Sequence, residues 1–152
     1  MLVRPVRYTL AVGGAEGCTA LNAFDNALLA AGIGNVNLLK VSSILPPGVT
    51  YMEAIDIPPG SLVPTAYCSR TSEDPGEHIA AAVGVGLSRD SFGVIMEYSG
   101  PGTREHAEVK IVAMLKAAFE EREMELHETK IRAVDHQVKH LGAVVAAAVL
   151  WY

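Results

Sequence analysis

Cysteine is scarce in this chain, with two residues in 152, Cys18 and Cys68. Neither stands at a metal-ligand spacing; one disulfide fits the count, but so few thiols suit a reduced cytosolic setting better. Positive charge is short as well: 12 Lys+Arg against 17 Asp+Glu leave a formal net charge of -5. That deficit speaks against a nucleic-acid or anionic-membrane partner. Long apolar runs are missing too. The greasiest stretch, Leu141 to Tyr152, is too short to cross a bilayer and is rich in alanine, so it reads as a buried strand. The opening MLVRPVRYTLAVGG carries two arginines and no apolar core of signal-peptide length, which predicts a soluble cytoplasmic protein. No repeat of solenoid length occurs. What is present is apolar: 50% hydrophobic residues against 19% charged, with a mean hydropathy of +0.26. Such a chain buries enough surface to offset its ordering entropy, which excludes disorder and fits one compact domain.

Periodicity assigns the elements. Val6, Tyr8, Leu10 and Val12 alternate with smaller or polar residues, predicting a strand that Gly13-Gly14 stops. From Thr19, a potential cap, Leu21, Phe24, Leu28 and Ala31 fall at helical spacing up to Gly32. The segment NVNLLKVSS is extended and ends at ILPPG; a second such turn, IPPG, follows at Ile57 to Gly60. Strands are predicted at Leu62–Cys68, His78–Leu87 and Phe92–Tyr98. The small residues Ala80 to Gly86 imply faces against which something packs closely. A helix from about Thr103 to Glu121 carries the stripe Ala107, Ile111, Met114, Leu115 and Ala118, with Glu105 in its first turn. Strands near Met124–Val134 and Leu141–Tyr152 complete the chain. Many strands with two separated helices point to an α+β fold whose helices cover sheet faces.

Most chemical candidates are weak. His136 and His140 have the i, i+4 spacing of a helical metal pair, but no third ligand accompanies them and they read as surface histidines in a turn, so no metal site is expected. Gly84-Val85-Gly86 lacks the third glycine and following helix of a phosphate loop. The acidic run EEREMELHE reads as a solvated helix end and strand start. Three places are less ordinary: Asp25 at the border of a helical apolar stripe, Glu97 at the end of GVIMEYS on the strand face of Ile95 and Ser99, and Ser42-Ser43 before a Pro-Pro-Gly turn. Singly, each also has an everyday explanation as a solvated or edge residue.

Together these segments resemble a known family. GIGNVNLLKVSSILPPG, Gly32 to Gly48, looks like the self-cleavage region of the pyruvoyl-dependent arginine decarboxylases, and PGEHIAAAVGVGL and GVIMEYSG resemble that family in the same order. The resemblance implies that the precursor cuts itself between Ser42 and Ser43. The Ser43 hydroxyl attacks the Ser42 carbonyl, an ester replaces the amide, and β-elimination followed by hydrolysis with loss of ammonia leaves a pyruvoyl group at Ser43. Residues 1–42 and 43–152 then become two chains of a single domain. Backbone strain at the cut peptide bond is an expectation, since strain stored at such sites helps the first step.

The resemblance also implies roles. The pyruvoyl cofactor forms a Schiff base with L-arginine, loss of carbon dioxide follows, and Glu97 protonates Cα to give agmatine, a polyamine precursor. Burial on an apolar strand is expected to raise the Glu97 pKa toward neutral. Asp25 matches the carboxylate that binds the guanidinium, Leu21 and Leu28 line the aliphatic part of the substrate, and Asn37 positions the group at the cut site. The implied architecture is an αββα sandwich of two mainly antiparallel sheets with helices outside, assembled as a homotrimer with active sites between subunits. A pyruvoyl enzyme acting on another amino acid, or an uncut binding relative, are the alternatives.

Overall fold

A computed structural model describes residues 2–152. Its elements in chain order are β1 (Arg7–Glu16), α1 (Ala20–Ala30), β2 (Asn37–Lys40), β3 (Ile44–Leu45), β4 (Thr50–Tyr51), β5 (Leu62–Ser72), β6 (His78–Leu87), β7 (Gly93–Pro101), α2 (Arg104–Glu121), β8 (Glu128–Gln137) and β9 (Gly142–Trp151). They form two sheets, one in the order β2-β5-β9-β1-β4 and one in the order β3-β7-β6-β8. The second sheet is antiparallel throughout. In the first, β9 runs antiparallel to both β1 and β5, while β4 and β2 add parallel at the two edges.

The sheets pack face to face. Tyr8, Leu10, Ala146, Ala148 and Leu150 of the first meet Ile79, Ala81, Val83, Val85 and Ile95 of the second. On the outer face of the first sheet, Ala143, Val145, Ala147 and Val149 pack against Ala23, Ala27 and Leu28 of α1. On the outer face of the second, Ala80 and Ala82 pack against Ala107, Ile111 and Leu115 of α2. The architecture is the αββα sandwich. Strand β9 explains its own sequence: it is covered on both faces, so the alternation of a half-exposed strand is lost and every residue is apolar or glycine.

Glycine governs how closely the helices approach. A Cβ at Gly84 would overlap the Ile111 side chain, and one at Gly86 would lie 2.6 Å from the Phe119 ring. The close packing expected at Ala80 to Gly86 is thus the seat of α2. Gly13 plays the same part for α1, because a Cβ there would run into the helix backbone at Ala27. Gly13-Gly14 therefore does not end the strand; β1 continues to Glu16. A second boundary also shifts. The strand expected from Met124 begins at Glu128, because the Met124 N–H returns to the Phe119 carbonyl at 3.0 Å and Glu123 adopts φ 53°. Among the described residues no helix is long and apolar enough to cross a membrane.

Candidate active site

Helix α1 starts where the Thr19 hydroxyl accepts the Asn22 N–H at 3.1 Å, the capping expected of threonine. With Ala23, Ala27 and Leu28 buried against the sheet, Asp25 stands on the exposed flank of the helix near β2. There Phe24, Asp25, Leu28, Asn37, Leu38 and Tyr67 line a cleft of about 320 Å³. The rings of Phe24 and Tyr67 stand 6.5 Å apart. Asn37 is anchored rather than free: its amide donates to the Gly60 carbonyl at 3.1 Å and its backbone N–H to Ser61 at 2.8 Å. The second Pro-Pro-Gly turn, with Gly60 at φ 81°, therefore fixes the far wall of the cleft.

Three residues, Val41 to Ser43, carry the chain from one sheet edge to the other. Strand β2 is an edge of the first sheet and β3 an edge of the second. The Val41 N–H donates to Thr65 of β5 at 3.1 Å, and the Ser43 carbonyl accepts the Ile95 N–H of β7 at 2.7 Å. Ser43 is half-buried, whereas Ser42 is exposed and lines a mostly apolar cleft of about 390 Å³ with Leu39, Val41, Ile44 and Pro46. Neither Ser42 nor Ser43 has positive φ, so the backbone strain expected at this bond finds no support there. Among the described non-glycine residues, Glu123 alone has positive φ.

Glu97 lies two residues beyond Ile95 on the same face of β7, opposite Val83 of β6. Burial raises its carboxyl pKa above the usual range, and the Lys40 ammonium partly offsets that rise. The expected direction at Glu97 is thus met. Cys68 shares this space: burial, then the charge of Glu97, pushes its thiol up to about 11, and its Sγ lies 3.8 Å from the Ala82 carbonyl. Tyr67, the next residue on β5, points to the opposite face and lines the Asp25 cleft. The Lys40 Nζ stands over its ring, 4.8 Å from the centroid.

The structure therefore forms two groups. Ser43 is tied to β7 at Ile95, two residues before Glu97, while Asp25, Leu28 and Asn37 share the cleft beside β2. Residues 67 and 68 of β5, facing opposite ways, link the groups. Leu21 belongs to neither within one chain; it is 75% exposed on the outer side of α1. Lys40, Phe24, Tyr67 and Cys68 are site neighbours that sequence reasoning passed over. The alternation of β5 separates Tyr67 from Cys68, and Lys40 ends the strand that leads to the serine pair.

One of the two histidines requires a correction, while His140 is exposed in the β8–β9 turn as expected. His136 is not a surface turn residue but lies in β8, part-buried, with its Nε2 2.5 Å from Glu16 Oε2. The other Glu16 oxygen accepts the N–H groups of Lys139, His140 and Leu141 at 3.2, 2.7 and 3.2 Å. Burial works to raise the Glu16 pKa, but these hydrogen bonds outweigh it and hold the carboxyl at about 2. His136 is thus committed to a structural carboxylate. Both cysteines are free thiols.

Comparison with known proteins bears on this arrangement. The sequence model of the pyruvoyl-dependent arginine decarboxylase family matches residues 7–152. A protein of Methanocaldococcus jannaschii named pyruvoyl-dependent arginine decarboxylase is 47% identical over 150 residues, covering 97% of this chain and 91% of that protein. Proteins of the same name from Thermococcus kodakarensis and Pyrococcus abyssi are 45% and 42% identical, each covering 97% of this chain and 96% of the relative. A match over nearly the whole chain places this protein in the pyruvoyl-dependent arginine decarboxylase family.

Proposed function

We propose that this chain cuts itself between Ser42 and Ser43, converts Ser43 into a pyruvoyl group, and decarboxylates L-arginine to agmatine and carbon dioxide. The observation that carries this reading is the 2.7 Å bond from the Ile95 N–H to the Ser43 carbonyl, which sets the serine pair two residues along β7 from Glu97. The donor set fits the group. Ser43 has its carbonyl anchored and its neighbour Ser42 exposed, so the Ser43 Oγ can attack the Ser42 carbonyl and move that acyl group from nitrogen to oxygen. Elimination across the Ser43 Cα–Cβ bond then releases the Ser42 carboxylate, and hydrolysis with loss of ammonia leaves the ketone. The products are 1–42 and 43–152.

Once formed, the group supplies a ketone that condenses with the substrate amine and takes up the electron pair left by carbon dioxide. The remaining work falls to side chains and backbone. The Ile95 N–H keeps its hold on the Ser43 carbonyl, fixing its plane. Glu97, whose burial favours the protonated form, delivers a proton to the substrate Cα. Asp25 accepts the two parallel N–H groups of the guanidinium. Leu28 walls the aliphatic chain, and Asn37, tied to Gly60, positions the group at the cut site. Leu21 joins that wall at a subunit contact, since the reading includes a homotrimer with sites between neighbouring chains. Exposed apolar residues beside the Ser42 cleft, including Leu2, Val3 and Ile44, support such burial by a second copy. No metal, nucleic acid or membrane enters this reading, and its setting is the cytoplasm.

An intact mass spectrum under denaturing conditions tests the first half. Two species are expected, the larger lighter than unmodified residues 43–152 by one ammonia, with Ser43→Ala remaining whole. Carbon dioxide and agmatine released from arginine test the second half. A single full-length species from the native sequence would sink the proposal, as would a cut protein inert toward arginine.

A further inference from the structure

Two opposite charges attend the cleft beside β2, and only one of them has a task so far. Asp25, on the exposed flank of α1, lines that cleft together with Tyr67 of β5. Lys40, the last residue of β2, rests its ammonium on the Tyr67 ring, 4.8 Å from the centroid. Tyr67 is therefore common to both charges: it walls the cleft of the carboxylate and seats the cation. The pleat agrees with this placement. Leu38, two residues before Lys40 and so on the same face of β2, lines the same cleft and joins Phe24 and Tyr67 on the outer face of the first sheet.

Neither charge is spent within the chain. Among the described residues the ion pairs are Arg70–Glu77, Arg104–Glu105, Lys130–Glu128 and His136–Glu16, and neither Asp25 nor Lys40 enters one. A lysine on an aromatic face gives up side-chain freedom for attraction to the ring, so the cation is held without being neutralised. The cleft thus has an uncommitted carboxylate on one wall and a held positive charge on another. Its complement is a ligand with charge of both signs. An amino acid with a cationic side chain has that pattern, whereas the amine left when it loses carbon dioxide is positive at both ends. The place of Lys40 in the chain suits the negative end. It stands three residues before Ser43, to which the proposed reaction joins the substrate, and three residues of chain span at most about 11 Å.

We infer that Lys40, seated on Tyr67, recognises the carboxylate of the amino-acid substrate, so that the Asp25 cleft prefers L-arginine to its own decarboxylated product. This rests on the arginine reading proposed above. The contact is lost as carbon dioxide leaves, so it belongs to the bound substrate more than to the transition state, and its removal should appear in KM rather than in kcat. Once the carboxylate is gone, the Lys40 ammonium faces only the like charge of the product amine.

Titration calorimetry on the uncut Ser43→Ala chain reads binding without turnover. That chain should bind L-arginine more tightly than agmatine. Adding Lys40→Met is expected to weaken arginine about 10-fold while agmatine binds as before or more tightly. Lys40→Arg should keep the preference, Tyr67→Leu should lose part of it, and Asp25→Asn should weaken both ligands. In the cut enzyme, Lys40→Met should raise KM by a similar factor, with inhibition by agmatine undiminished. Should the uncut chain bind neither ligand, KM and agmatine inhibition in the cut enzyme decide. Equal weakening of both ligands in Lys40→Met overturns the inference, as does no weakening of either, or a Lys40→Arg protein that behaves like Lys40→Met. If Lys40 sets the preference while the native protein makes no agmatine, the carboxylate recognition stands and the decarboxylase reading is what fails. Agmatine made with a KM indifferent to Lys40→Met is the reverse case, in which the decarboxylase reading stands and the inference falls.

Discussion

Replacing Glu16 by glutamine should destabilise the fold at neutral pH and do almost nothing in strong acid. The native carboxylate accepts one bond from His136 and three from backbone N–H groups of the β8–β9 turn. These lower its pKa from 4.5 to about 2. A depression of that size corresponds to roughly 3.4 kcal/mol at ~1.36 kcal/mol per unit. The side chain is 28% exposed, so solvent screening reduces the expectation to about 2 kcal/mol. Because the folded pKa lies below the unfolded one, this stability is complete above about pH 4.5 and drains away as pH falls toward 2. Glutamine carries no charge at any pH. The native and Glu16→Gln proteins should therefore differ by about 2 kcal/mol at pH 7, or roughly 4–8 °C in Tm, and converge as pH approaches 2. Urea denaturation of the uncut Ser43→Ala background across this range measures the gap. A gap that persists undiminished in acid would show that lost packing, not the carboxylate charge, sets the effect. Equal stabilities at pH 7 would refute the hydrogen-bond account altogether.

Three further outcomes follow from the site and core. Glu97→Gln should cut itself normally yet turn over about 10²- to 10⁴-fold more slowly, read from mass spectra and initial rates; unchanged turnover would remove Glu97 from proton transfer. Asp25→Asn should lower kcat/KM for arginine by about 10- to 100-fold, mainly through KM, because a charge-assisted bidentate contact is lost. Lysine decarboxylated by the native protein as well as arginine would contradict that geometry. Gly84→Ala should cost about 1–3 kcal/mol by pushing α2 off β6, and an unshifted melting curve would mean that Ile111 yields more easily than its packing suggests.

Much of the fold was legible because its strands and helices obey simple periods. Thr19, Thr103 and the Pro-Pro-Gly turns mark ends that the structure keeps. Legibility fails where tertiary packing overrides a local cue. Gly13-Gly14 looks like a stop, but α1 needs bare backbone there, so the strand continues. Met124 looks like the start of a strand, yet it closes the end of α2. His136 looks solvated because its partner, Glu16, is 120 positions away in the sequence. At the site, the serine pair and both carboxylates stood out through their resemblance to a family. Their arrangement did not, since nothing local indicates that Ser43 and Ile95 share a hydrogen bond or that residues 67 and 68 serve two groups. Lys40 escaped notice for the same reason: a lysine at a strand end is ordinary until an aromatic ring is found beneath it.

The strand order β2-β5-β9-β1-β4 has a consequence for a protein cut after Ser42. Strands β1 and β2 would belong to the shorter piece, and β4, β5 and β9 to the longer. The two pieces would be interleaved like the fingers of clasped hands: β1 lies between β9 and β4, and β2 rests on β5. No rigid movement separates such pieces without breaking the ten-residue ladder of β1 on β9. In a protein so cut, folding would come first and cutting second. The cut would also change the order of the reaction by which the fold is regained. The uncut chain refolds as a single molecule at any dilution, but two loose pieces must find each other, without the effective concentration that a linker supplies. Melting the mature protein would thus erase something that cooling alone does not restore, and its persistence would rest on how slowly it opens.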